Sequence, residues 1–195
     1  VISGTTVTVY DPKDIRDVIA GIGTDENKYK DITTIVLGAD MDVGSVITVN
    51  KAVTIDGNGY TLTAVEGSWS GDGTKNLISI QDVKGAVTLR DIPIDSADNA
   101  YGINTFGSSD VTISGVTAIN SEGAGLTVNS STVDVSDAVM SGNAWGDINV
   151  DNISKFAIDT ASELTSGFQI WSEDVNAEGG STIEAPGYEK YGWTK

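Results

Sequence analysis

Asp91, Asp95 and Asp98 form the densest group of carboxylates in the middle of the chain, and Arg90 stands directly before them. Carboxylates so spaced offer two chemistries: an acid and a base for glycoside hydrolysis, or oxygen ligands for calcium. The same residues also make ordinary turns, because Ser96-Ala97-Asp98-Asn99 is turn-forming and no Asp-x-Asp-x-Asp-Gly spacing is present. Asp72, within Gly71-Asp72-Gly73, reads as a turn on the same grounds. The chain has neither histidine nor cysteine, which removes Ser-His-Asp and Cys-His nucleophiles, disulfides and thiolate metal sites. Gly57-Asn58-Gly59 and Gly123-Ala124-Gly125 lack both the lysine and the following helix of a phosphate loop. No metal site is assigned and no cofactor expected; calcium is the one cation the aspartates would admit.

Binding has better material than catalysis. Trp69 lies in a Gly-rich stretch, Trp145 in the turn Gly142-Asn143-Ala144-Trp145-Gly146, Trp171 at a strand position and Trp193 near the end. Flat aromatic faces stack on sugar rings, and rows of Asn and Thr hydrogen-bond hydroxyls. Against this, Trp69 and Trp145 could fold back as anchors over the core. Eleven Lys and Arg against 28 Asp and Glu give a net charge of -17, which repels nucleic acid, anionic membranes and polyanionic glycans. That charge also keeps a repetitive β surface from pairing with copies of itself.

These residues must be held by strands. Val87-Thr88-Leu89, Val111-Thr112-Ile113, Val133-Asp134-Val135 and Phe156-Ala157-Ile158 recur at steps of 24, 22 and 23 residues. A second row, Ile103-Asn104-Thr105, Leu126-Thr127-Val128, Ile148-Asn149-Val150 and Ile170-Trp171, keeps pace at 23, 22 and 22. Two strands that stay in phase are one unit of a solenoid, whose turns bury their apolar faces only by stacking. Alternation then sends Val53, Val87, Val111, Val133 and Phe156 inward as one column and Ile103, Leu126, Ile148 and Ile170 as another. It leaves Ser79, Asn104, Thr127, Asn149 and Trp171 as one outward row, and Asp56, Arg90, Ser114, Ser136 and Asp159 as a second. Arg90 and Asp56, one turn apart, suit an ion pair. Before the repeat, Asp11-Pro12 opens a short amphipathic helix with Ile15, Val18 and Ile19 on its apolar face and Gly21 as its stop. A helix beside an all-β repeat reads as a lid on the solenoid's end. The expected organisation is a single domain over 1–195: an N-terminal cap over 1–45, rungs over 46–171, and a C-terminal cap or truncated continuation over 172–195. Residues 66–76 form an insertion within the rungs.

The rung segments Val111-Thr112-Ile113-Ser114-Gly115-Val116-Thr117 and Val53-Thr54-Ile55-Asp56-Gly57 resemble those of the right-handed parallel β-helix, the pectin-lyase-like superfamily. The resemblance spans roughly residues 5 to 171 and implies an all-β, right-handed parallel β-helix solenoid of six to seven rungs with a short N-terminal capping helix. Enzymes of that superfamily mostly cleave polysaccharides. The Gly-His-Gly and Arg-Ile-Lys segments of its polygalacturonase-like members are missing here, and Arg90-Asp91-Ile92-Pro93 only loosely resembles the arginine-proline spacing of its lyases. The expectation is therefore a non-catalytic, extracellular or cell-surface module of a longer chain, acting in surface structure, adhesion or glycan binding. Its ligand residues would be Trp171, Asn149, Thr127, Asn104, Trp69 and Trp145. The alternative is a polysaccharide lyase or glycoside hydrolase using Arg90, Asp91, Asp95 and Asp98. The expected partner is a polysaccharide or cell-surface glycan, with no nucleic acid and no membrane insertion.

Overall fold

The computed structural model describes residues 1–70 and 75–192; Asp72 and Trp193, singled out above, lie outside them. The described residues form one helix and twenty-two strands in three sheets, a parallel β-solenoid of about seven turns. Sheet A stacks β2 (Thr6–Val9), β3 (Thr34–Leu37), β6 (Val53–Asp56), β9 (Val87–Arg90), β12 (Val111–Ser114), β15 (Thr132–Ser136), β18 (Lys155–Ile158) and β21 (Thr182–Glu184). Sheet B stacks β4 (Met41–Val43), β7 (Leu62–Ala64), β10 (Pro93–Asp95), β13 (Thr117–Ile119), β16 (Val139–Ser141) and β19 (Glu163–Leu164). Sheet C stacks β5 (Ile47–Val49), β8 (Asn76–Gln81), β11 (Tyr101–Phe106), β14 (Leu126–Asn129), β17 (Ile148–Asp151), β20 (Ile170–Ser172) and β22 (Lys190–Gly192). From β3 to β20 the chain visits A, B and C in order on each turn, and its crossovers are of the right-handed type that twisted strands favour.

Register follows the repeat. Val53, Val87, Val111, Val133 and Phe156 pair in one row, Ile103, Leu126, Ile148 and Ile170 in another, and all are at most 3% exposed. The two-strand reading of the unit is corrected by sheet B, which supplies a third strand per turn. Its strands are two or three residues long, too short to show a period of their own. At three corners between sheets A and B, from β9 to β10, β12 to β13 and β15 to β16, the chain turns within two residues, and Asp91, Gly115 and Asp137 take left-handed conformations there with φ of 52°, 61° and 50°. Asp and Gly tolerate that region, so these positions are turn chemistry.

The parallel stacking starts before residue 46: β3 already pairs with β6, and β4 with β7. Stacking also continues past 171, where β21 extends sheet A and β22 extends sheet C. At the N-terminal end, β1 (Ile2–Ser3) pairs antiparallel with β2 and covers its edge. Helix α1 (Pro12–Gly21) is capped by the Asp11 side chain, which accepts the Lys13 N–H at 2.7 Å. Ile15, Val18 and Ile19 are at most 2% exposed against the end of the core. The helix ends at Gly21, with Ile22 as its C-cap and left-handed Gly23 following; Gly21 also packs closely against Asn27. Arg16 donates to the Ser45 and Val46 carbonyl oxygens, so the helix is fastened to the first turn of sheet C.

A buried serine ladder fixes the turns from sheet C to sheet A. The amides of Val83, Ser108, Ser131 and Ser154 donate to the hydroxyls of Ser108, Ser131, Ser154 and Ser181 at 3.2, 3.1, 3.2 and 2.9 Å. Ser108, Ser131 and Ser154 in turn donate their hydroxyls to the carbonyl oxygens of Phe106, Asn129 and Asp151. Each of these ladder amides and hydroxyls thereby has a partner, which a dry stack of turns requires.

Candidate functional site

The outward row expected on sheet C exists, and in register. Thr48, Ser79, Asn104, Thr127, Asn149, Trp171 and Tyr191 pair successively across seven strands. Ser79 is an exception to exposure, being fully covered while its hydroxyl accepts from both Asn104 Nδ2 and Gln81 Nε2. Two residues further along the strands, Gln81, Phe106, Asn129 and Asp151 make a parallel row. The same alternation that gave the first row would have given this one.

Aromatic rings border the polar rows. The Tyr101 and Trp145 ring centroids lie 4.8 Å apart at a tilt of 49°, and Trp145 is 55% exposed. Gly123, on the intervening turn, makes this possible: a Cβ there would meet the Tyr101 ring at 2.7 Å. Nearer the C-terminal end, Phe168 meets Trp171 at 5.9 Å and Tyr191 at 5.0 Å, both edge-on. Between Tyr101 and Trp145 on one side and the strand residues on the other lies an open concavity of roughly 270 Å³. It is lined by Asn76, Tyr101, Asn104, Thr127, Asn129, Trp145 and Asn149. Trp171 and Tyr191 line a second, with Val175, Asn176, Lys190 and Gly192. Sequence reasoning did not find Tyr101, Phe168 or Tyr191, because their partners lie on other turns.

The segment bearing Trp145 is held from beneath. Asp147 is fully buried and accepts hydrogen bonds from Asn143 Nδ2 (3.0 Å), from the Ser166 N–H (2.9 Å) and from the Ser166 hydroxyl. Asn143, also buried, accepts the Ser121 N–H and donates to the Ala118 carbonyl. Burial pushes the Asp147 carboxyl above the ordinary aspartate value, and the Ser166 and Asn143 hydrogen bonds pull it part of the way back. Asp151, the last residue of β17 in sheet C, is likewise raised by burial, opposed by the Glu173 N–H and reinforced by the negative charges of Glu173 and Asp174.

The remaining sequence candidates are dispersed. Arg90 donates through Nε to Asp56 Oδ2 at 2.9 Å, with a second guanidinium nitrogen at 2.7 Å, on sheet A rather than sheet C. Asp91 is an exposed turn residue with φ 52°. Asp95 accepts the Ala97 N–H and the Asn120 side-chain amide, while exposed Asp98 is left-handed with its N–H on the Asn120 carbonyl. Among the described residues no three carboxylates gather closely enough to hold a metal ion. Trp69 packs against the core and donates its indole N–H to the Val65 carbonyl at 2.8 Å. It is an anchor for the folded-back segment, in which Ser68 N–H donates to the Gly44 carbonyl.

Fold and site together define a parallel β-solenoid with an aromatic-bordered polar face. No family model matches the chain, and no curated protein matches it. Among solved structures it is similar to one from Parabacteroides merdae, named a "putative glycosyl hydrolase", with a TM-score of 0.54 and 13% identity over 97% of this chain and 96% of that one. At that identity the likeness is one of fold.

Proposed function

We propose that the outer face of sheet C engages an extended polysaccharide, in a chain of pectin-lyase-like type that works outside the cell. The observation that carries the reading is the in-register row Asn104, Thr127 and Asn149, bordered by the exposed rings of Trp145 and Phe168 and the half-buried rings of Tyr101 and Trp171. Amide and hydroxyl groups match sugar hydroxyls, and rings match the C–H faces of pyranoses. Stacked turns about 4.8 Å apart repeat these groups along the solenoid axis, which suits a polymer better than a compact ligand. The test is retention on a panel of immobilised polysaccharides, with Thr127→Ala and Trp171→Ala as variants. Wild-type protein that passes every polymer unretarded overturns the reading.

A second reading, polysaccharide cleavage, is favoured by the name of the Parabacteroides merdae protein and by half-buried Asp151 on the same face. A carboxyl with a raised pKa suits a general acid, and glycoside hydrolysis needs a second carboxylate across the bond. A lyase mechanism through Arg90 has less support, since that guanidinium is paired with Asp56 on another sheet. Release of reducing ends from a retained polymer with no unsaturated product, lost in Asp151→Asn, would establish hydrolysis. Retention without product release would leave a binding module in surface structure or adhesion.

A further inference from the structure

We propose that Trp145 and Tyr101 build a stacking subsite for a neutral sugar residue, so that the polymer engaged by sheet C is an uncharged glycan and not a polyuronate. This rests on the reading of sheet C as a glycan-binding face. An indole 55% exposed at the tip of a turn keeps a large apolar surface in water, and nothing in the core requires it. Its setting is rigid. Trp145 N–H donates to the Gly123 carbonyl at 3.1 Å, Ala144 N–H to the Ser121 carbonyl at 2.9 Å, and buried Asn143 and Asp147 clasp the chain on either side. Holding a ring in its bound position before the ligand arrives removes the ordering cost that usually offsets stacking.

Charge selects the ligand. The concavity beside Trp145 has amides, a hydroxyl and rings on its walls and no ionised side chain. The cation at its rim, Lys75, sits 5.2 Å from the Tyr101 ring centroid and is already paired with Glu122. A uronate carboxylate brought here would meet no free counter-charge, and would add to the repulsion of a protein of net charge -17. A neutral hexopyranose meets neither cost: one C–H face lies on the indole, and its hydroxyls face Asn104, Thr127 and Asn149.

Affinity electrophoresis at low and physiological salt, with soluble mixed-linkage glucan, galactomannan and polygalacturonate as probes, tests this. At least one neutral polymer should retard the wild-type protein, and polygalacturonate should not do so at either salt. Trp145→Ala should weaken that retardation by about tenfold and Trp145→Phe should restore most of it. Preference for polygalacturonate overturns the inference. So does equal retardation of wild type and Trp145→Ala by a neutral polymer, which leaves the broader reading of sheet C standing. Failure of every polymer overturns both.

Discussion

Ile153 is where the chain departs most from local preference: it is 73% exposed and left-handed at φ 58°, a region that β-branched residues rarely enter. The equivalent corners one and two turns earlier use Ser130 and Gly107, which accept it more readily. Ile153→Asn should therefore stabilise the protein by about 1 kcal/mol, read from urea unfolding; an unchanged or lower midpoint would remove the argument from strain. Asp147 makes the opposite kind of departure, a carboxyl kept in the core by three hydrogen bonds. Its folded pKa is raised, so the folded state holds the proton more tightly than the unfolded one, and stability falls as pH rises from the ordinary aspartate value through the raised one. Asp159 is shifted the other way, by the Ser162 hydroxyl and neighbouring amides, so its contribution is present above the ordinary value and is lost on acidification. Between about pH 4 and about pH 7 the stability difference between Asp147→Asn and wild type should move in favour of the variant as pH rises. A flat difference would show that the buried carboxyl titrates normally.

At the scale of elements, the serine ladder and the capping helix hold the stack closed at its corners and at its end. Ser131→Ala removes the acceptor for the buried Ser108 N–H and should cost about 1–3 kcal/mol. The exposed Ser109→Ala, at the same corner, should cost far less. Equal effects would mean that the buried ladder bond contributes no more than an exposed hydroxyl does. Asp11→Ala strips the cap from α1 and should cost about 0.5–2 kcal/mol, measurable as a lower urea midpoint. The strand rows of sheets A and C were legible because each carries alternating β-branched residues over three or more positions. Sheet B was not, since strands such as Met41–Val43 and Val139–Ser141 carry at most one full alternation.

For the whole molecule, charge and stacking pull in different directions. A net charge of -17 on a rod of stacked turns is self-repulsive, so unfolding midpoints should rise when salt goes from about 0.01 M to about 0.15 M, as the screening length shortens. Insensitivity to salt would mean that local pairs such as Arg90 with Asp56 and Lys75 with Glu122 already balance the field. The sheet C concavity contrasts with that charge, because its lining side chains are uncharged.

The sequence by itself determined the stacked architecture, the inward columns and the outward row through Asn104, Thr127, Asn149 and Trp171, because period and alternation are local properties that strands express directly. It also carried the Arg90–Asp56 pair, since both occupy one row a single turn apart. Only the tertiary structure decided which of the tryptophans in the turns is packed away and which stays exposed. Trp69 and Trp145 stand in similar Gly-rich stretches, yet one turns its indole onto the core and the other stacks on Tyr101 across Gly123. That outcome depends on contacts between turns 22 and 44 residues apart, a distance over which no local pattern speaks.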